Sequence, residues 1–384
     1  MAAHTELTAL EASFLAIERP GTPMHVAGLV IFDASSSAGG PLTPRDLRRL
    51  VKSRLLRLPR FRERVTPGWL GLLRPQWVEV ATVDLDAHLF HHRLGSHGTT
   101  PRLNELCAQI HEEPLPRDRP LWQMHLIDGL EDGRQALLVK THHCMGDGVA
   151  GIQIAEALFE TTAPHRKLMH AGVPTLRFAD HSGPTVLGLA QALLGVAFTA
   201  AGGPLALEGP FNGRVGGERA FATAAFPTAL IRRLKRQLGG SVDDVVLAVV
   251  AAGIARQLSR QRYPDMPHAL KTMIPVSTRR PADGSHLGNR VSAVFIDLPL
   301  DSTALPALVR RIAASKSNLR SAHAAAGMSL LIEAAGLLPR PLHEAVVRLA
   351  SSLPTFNLVM SDVPGPDEPL FILGRRIVAA YPMI

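Results

Sequence analysis

Gln135-Ala136-Leu137-Leu138-Val139-Lys140-Thr141 runs straight into His142-His143-Cys144-Met145-Gly146-Asp147-Gly148, and this junction decides the fold. The first seven residues read as a buried strand. Beyond the glycines, Val149, Ile152, Ala155, Leu158 and Phe159 recur at helical spacing. A strand therefore ends on two histidines, turns through Gly146 and Gly148, and opens a helix. Neighbours on a strand point to opposite faces, so only one of His142 and His143 faces a given cleft while the other is structural. Asp147 either pairs with an arginine or caps the helix it precedes.

Upstream, Leu121 to Ile127 is a second strand, joined to the first by the hairpin signal Gly129-Leu130-Glu131-Asp132-Gly133. An amphipathic helix is expected over 101–112 and a strand from Trp77 to Val83. Thr43-Pro44 opens a helix to about Leu58, and 26–32 is a buried strand. Downstream the pattern loosens over 161–215, a linker containing an uncharged run, Ser182 to Leu207, that is long enough for a membrane span but broken by glycines and Pro204. The second half predicts strands near 218–224, 270–276, 290–297 and 356–360, and a short strand ending at Ala380. Its helices are expected over 227–238, 241–260, 303–322 and 328–350. Both halves mix strands and helices without strict alternation, which predicts an α+β protein of two lobes, 1–160 and 216–384.

Composition narrows the function classes. With 384 residues, 46% hydrophobic and 19% charged, the chain is long enough for two cored domains and is not disordered. Cys107 and Cys144 are too few for a disulfide framework, and the N-terminus lacks a basic n-region followed by an apolar run, so a cytoplasmic location is expected. The net charge of +8 is concentrated between Arg45 and Arg64. Such a face suits CoA phosphates or anionic lipid headgroups, or it is simply a solvated helix face. Nucleic acid is the weakest partner, since no binding motif accompanies the charge and aromatics are only 5% of the chain.

Several chemistries compete for the junction. Gly146-Asp147-Gly148-Val149-Ala150-Gly151 matches a dinucleotide fingerprint in form, but His165-Arg166-Lys167 stands where its acidic residue belongs. Cys144 would have to fold back to reach the ring before it. A metal on His142, His143 and Asp147 is disfavoured by the opposite facing of the histidines, so no metal is expected. No Gly-x-Ser-x-Gly elbow exists. Two readings stay open: a His pair that only packs, the commoner case, or one imidazole poised near neutral pH as the general base that acyl transfer from a thioester to an alcohol would require.

The residues resemble the bacterial wax ester synthase/diacylglycerol acyltransferase family of the chloramphenicol acetyltransferase-like superfamily, whose shared motif is His-His-x-x-x-Asp-Gly. Further blocks look like the family's in the same order: Pro23-Met24-His25-Val26, Arg119-Pro120-Leu121-Trp122, Ser241-Val242-Asp243-Asp244, Pro275-Val276-Ser277-Thr278-Arg279, Gly288-Asn289-Arg290-Val291 and Ser361-Asp362-Val363-Pro364-Gly365-Pro366. The resemblance implies two acetyltransferase-like lobes with a tunnel between them. It makes His143 the general base, with His142 and Asp147 holding the loop and Gly148 making room. It also implies Arg279 as the partner of Asp147, and Trp122, Asp244 and Asn289 as architecture around the tunnel. Asp243 and Asp362 depart from the family, which has Asn at both places. Further strands and a closing helix are implied beyond Ile384, so the second lobe is expected to be incomplete with an exposed sheet edge.

The implied activity is transfer of a fatty acyl group from acyl-CoA, as substrate rather than cofactor, to diacylglycerol or a long-chain alcohol. Peripheral membrane or lipid-droplet contact would go with it. A catalytically impaired homologue that binds acyl-CoA or lipid, and an enzyme with a carrier-protein donor, are the alternatives.

Overall fold

The computed structural model describes residues 5–34, 40–161, 211–213, 215–263, 266–277, 289, 291–302, 304–321, 332, 334–363, 365–366 and 368–384. The linker, the run Ser182 to Leu207 and Arg279 lie outside them.

The first half runs β1 (Thr5–Glu6), α1 (Ala9–Ile17), β2 (His25–Phe32), α2 (Pro44–Arg54), β3 (Glu63–Thr66), β4 (Gln76–Glu79), β5 (Leu89–Gly98), α3 (Thr100–Glu112), β6 (Trp122–Leu130), β7 (Gln135–His142), α4 (Gly148–Leu158) and β8 (Glu160–Thr161). The second runs α5 (Thr228–Leu238), α6 (Val242–Arg260), β9 (Ala269–Ser277), β10 (Val291–Pro299), α7 (Leu305–Ser321), α8 (Arg340–Ser352), β11 (Leu358–Val359), β12 (Leu370–Ile372) and β13 (Arg375–Met383).

Seven strands form the main sheet in the order β5-β6-β7-β2-β13-β12-β8, antiparallel except for β5 and β6. Its central strands are buried on both faces, hence the unbroken apolar runs. Along β2, Val30 and Phe32 enter one core with Trp77, Phe61 and Trp122. Ala27 and Leu29 enter the other with Leu103, Ile110 and Leu138. This places His25 directly opposite His142 at the same end of the sheet.

The second half contributes the sheet β10-β9-β11, against which α6 and α7 pack through Val245, Ala248, Ala251, Leu308 and Ile312. Its chain does not stay there. β12 and β13 cross to the main sheet, where β13 pairs with β2, so the span 216–384 drawn as one lobe supplies strands to both.

Other expectations need correction. Residues 218–224 form no strand among the described residues. The helix expected over 328–350 is interrupted: Ile332, Ala334 and Ala335 are helical, the chain turns over 336–338, and a helix starts again at Arg340, where Pro339 is the N-cap and Pro341 sits in the first turn. The helix α1 was not anticipated, although Thr8 and Glu11 form a reciprocal capping box ahead of it. Among the described residues no single helix is long and apolar enough to cross a membrane. Only the pair α5 and α6, bent by 99°, passes on length and composition together.

Candidate active site

The main-sheet strands end in a buried polar cluster. The Nδ1 of His142 accepts the Cys144 N–H at 3.1 Å, so a neutral ring carries its proton on Nε2. That atom lies 3.4 Å from Glu18 Oε1, close enough for electrostatic attraction but off the hydrogen-bond axis. His25 Nε2 stands 3.3 Å from the same oxygen. Glu18 Oε1 also accepts the Met24 N–H at 3.2 Å, and Oε2 accepts from Arg117 Nη2 at 2.5 Å. Burial would raise the Glu18 carboxyl, but His142, His25 and Arg117 together hold it well below the usual carboxylate range. Burial lowers the pKa of His142, against the pull of Glu18.

Lys140, one strand position from Thr141, is fully buried. Its Nζ donates to Ile110 O at 2.5 Å and to Glu113 O, tying off the end of α3. Burial pushes its pKa down to about 8.

His143 is placed differently. The chain leaves β7 in a short 3-10 turn, His143–Met145, that turns this ring away from the cluster. Its backbone is clamped on both sides. The His143 N–H donates to Met24 O at 2.8 Å, and its carbonyl accepts from Asn289 Nδ2 at 2.8 Å. The half-buried ring stacks on Phe14 of α1, centroids 4.1 Å apart and planes 15° from parallel. Its Nδ1 finds no hydrogen-bond partner among the described residues. Burial lowers its pKa, against its own carbonyl, Asp147 and Asn289, so the ring is neutral at neutral pH.

Asp147 is buried and its carbonyl receives the Gly151 N–H at 3.0 Å, starting α4, while Gly148 is the first residue of that helix. His142, His143, Asp147, Gly148 and Asn289 are therefore brought together. Trp122 sits one strand away, fully buried, its Nε1 donating to Phe61 O at 2.9 Å and its ring stacked on His88. Asp244 belongs to the second half, where it closes a capping box with Ser241 and pairs with Lys316 Nζ at 2.8 Å. Stretch 278–288, which leads to Asn289, lies outside the described residues, as does the outline of any tunnel there.

Cys144 is fully buried and burial raises its thiol well above the ordinary value, which suits packing and not nucleophilic attack. Among the described residues no three His, Cys, Asp or Glu side chains converge as a metal site. A surface pocket lined by Arg93, Leu94, Arg102 and Gln109 touches none of the site residues. Sequence reasoning missed Glu18 and Phe14. The one available signal was their position on and just after an apolar segment opened by a Thr-x-x-Glu box.

Comparisons with known proteins bear on this geometry. The family model described as the wax ester synthase/diacylglycerol acyltransferase catalytic domain matches residues 7–246, and the matching C-terminal domain model covers 287–384. A Mycobacterium tuberculosis protein named as a diacylglycerol O-acyltransferase is 33% identical over 406 residues, which cover 98% of this chain and 88% of that one. The solved wax ester synthase/diacylglycerol acyltransferase of Marinobacter aquaeolei VT8 superposes with a TM-score of 0.69 at 26% identity, covering 98% of this chain and 86% of its own. The first condensation domain of a calcium-dependent antibiotic synthetase, with a TM-score of 0.58 at 18% identity over 99% of this chain and 84% of that one, shares the fold.

Proposed function

The chain belongs to the wax ester synthase/diacylglycerol acyltransferase family, and from that premise we propose that it moves a fatty acyl group from acyl-CoA to the hydroxyl of diacylglycerol or a long-chain alcohol. The observation that carries this reading is His143: a neutral imidazole, stacked on Phe14 and clamped at its backbone by Met24 from the first half and Asn289 from the second.

In this reading His143 takes the proton of the acceptor hydroxyl as its oxygen attacks the thioester carbonyl. The tetrahedral intermediate collapses, the C–S bond breaks, and the imidazolium returns its proton to the CoA thiolate. Ester and free CoA result. The leaving thiolate is a weak base, so one group serves in both directions. Phe14 covers one face of the ring with apolar surface, which favours the neutral form and keeps water from competing with the alcohol. His142 takes no proton in this scheme, because its Nδ1 already accepts the Cys144 N–H and its Nε2 faces Glu18.

The test is to give purified protein labelled palmitoyl-CoA with diacylglycerol in one reaction and hexadecanol in another, and to separate the products. Triacylglycerol or wax ester with stoichiometric free CoA is expected. Binding of acyl-CoA without any ester, or ester only from an acyl carrier protein, would overturn the proposal.

A further inference from the structure

The connection between β3 and β4, Pro67-Gly68-Trp69-Leu70-Gly71-Leu72-Leu73-Arg74-Pro75, displays its apolar side chains to solvent. Trp69 is 67% exposed, Leu70 75%, Leu72 48% and Leu73 50%. The segment is tightly built. The Gly71 N–H donates to Gly68 O at 2.9 Å and the Leu72 N–H to Trp69 O at 3.0 Å. A Cβ on Gly68 would lie 2.3 Å from Arg74 O, so only glycine closes the turn. Leu70 sits at φ 50°, in the left-handed region that leucine rarely adopts. A strained backbone thus holds a bulky apolar side chain outward, where it packs against little in the protein.

The Arg340 N–H donates to Leu72 O at 2.9 Å, which docks the tip on the start of α8. There the exposed face continues through Leu337, Leu342 and Leu349. On its inner side α8 reaches the active site: His343 Nε2 lies 3.1 Å from Ser13 Oγ on α1, and the next residue, Phe14, stacks on His143. Arg64, exposed on β3 five residues before Trp69, and exposed Arg57 have no ion pair among the described residues. They end the basic run noted in the sequence.

We propose that this tip and the outward face of α8 seat the protein on an anionic lipid surface. The choice of partner rests on the reading of the protein as a lipid acyltransferase, whose acceptor is dissolved in such a surface. The chemistry fits it independently. The Gly68 and Trp69 carbonyls are bonded within the turn and the Leu72 carbonyl is held by Arg340, leaving apolar side chains to enter the acyl boundary, with an indole at the headgroup level and Arg64 on the strand that leads into the tip.

The chain offers its own probe. Of its three tryptophans, Trp77 and Trp122 are buried, so a change in intrinsic emission on binding reports Trp69. The full chain would be titrated with vesicles of phosphatidylcholine alone and with added phosphatidylglycerol, and sedimented with them. A blue shift and co-sedimentation are expected, stronger on the anionic vesicles. Trp69→Ser with Leu70→Asn, which leaves the buried core intact, should weaken partitioning at least about tenfold. Arg57→Glu with Arg64→Glu should remove the preference for phosphatidylglycerol. Equal vesicle binding by the Trp69/Leu70 variant would overturn the proposal. So would an emission shift that needs no vesicles and follows protein concentration, since the tip would then meet a second copy of the chain. Neither outcome depends on ester synthesis, so failure of the proposed function reads separately.

Discussion

Two histidines adjacent in sequence occupy opposite environments at the end of β7. On one side lies the cluster of Glu18, His25, His142 and Arg117, where His142 has one ring nitrogen bonded to backbone and the other facing a carboxylate. On the other side His143 keeps its ring half-buried against Phe14, with Nδ1 unpartnered among the described residues and only its backbone tied down. The contrast is one of surroundings: His142 lies against the Glu18 carboxylate with its Nδ1 tied to backbone, whereas the His143 ring rests on Phe14 and only its backbone is clamped, which is what the proposed roles of support and base draw on.

The largest expected effect comes from removing the His143 ring. His143→Ala should lower kcat by about 10²–10⁴-fold, the usual loss for a general base, with a modest drop in the thermal midpoint from the lost stacking on Phe14. Breaking the closed side should do the reverse. Glu18→Ala leaves buried imidazoles and Arg117 without their carboxylate and should cost about 3 kcal/mol of stability, read by urea unfolding at pH 7. Its pH dependence has a definite sign. The Glu18 carboxyl is held low in the folded state, so its contribution is present above the unfolded value, about 4.3, and is lost as pH falls below it. The variant should therefore show a flatter acid limb than wild type.

A smaller effect tests the clamp between the halves. Asn289→Ala removes the bond to the His143 carbonyl and should lower kcat about tenfold through misplacement of the ring, with only about 1 kcal/mol lost in unfolding. A loss of stability without loss of kcat would show that the clamp is merely structural.

The smallest effect lies in the second half, which has its own carboxylate cluster. Asp243 and Asp362 meet there beside Lys316. The hydrogen bond with Asp243, then burial, raises the Asp362 carboxyl to about 7 while Asp243 is lowered. The folded state thus keeps a proton that the unfolded chain gives up near pH 3.9, and stability falls as pH rises towards 7. Asp362→Asn should raise the melting temperature slightly at pH 8 and leave it unchanged at pH 5, by calorimetry.

What the sequence revealed was local. The strand over 135–141, the turn through Gly146 and Gly148 and the helix after it were readable because spacing alone sets them, and the structure has β7 and α4 there. The hairpin between β6 and β7 was readable for the same reason. Glu18 was not, since its partners His142 and Arg117 lie about a hundred residues away and meet it only in the tertiary fold. The crossing of β13 to β2 was equally hidden. Its exposed and half-buried residues alternate as they would on any half-covered strand, and nothing in the pattern says which sheet accepts it. The run at 218–224 shows the converse: its composition is strand-like, yet it pairs with no strand among the described residues.

The most direct test is the pH dependence of kcat/KM for ester formation. Wild type should hold a plateau through neutral pH and fall with a single limb below about 6.5, the ordinary histidine value, because burial keeps His143 neutral into mild acid. His143→Gln should lack that limb at its residual rate. The same limb in the variant would show that another group takes the proton.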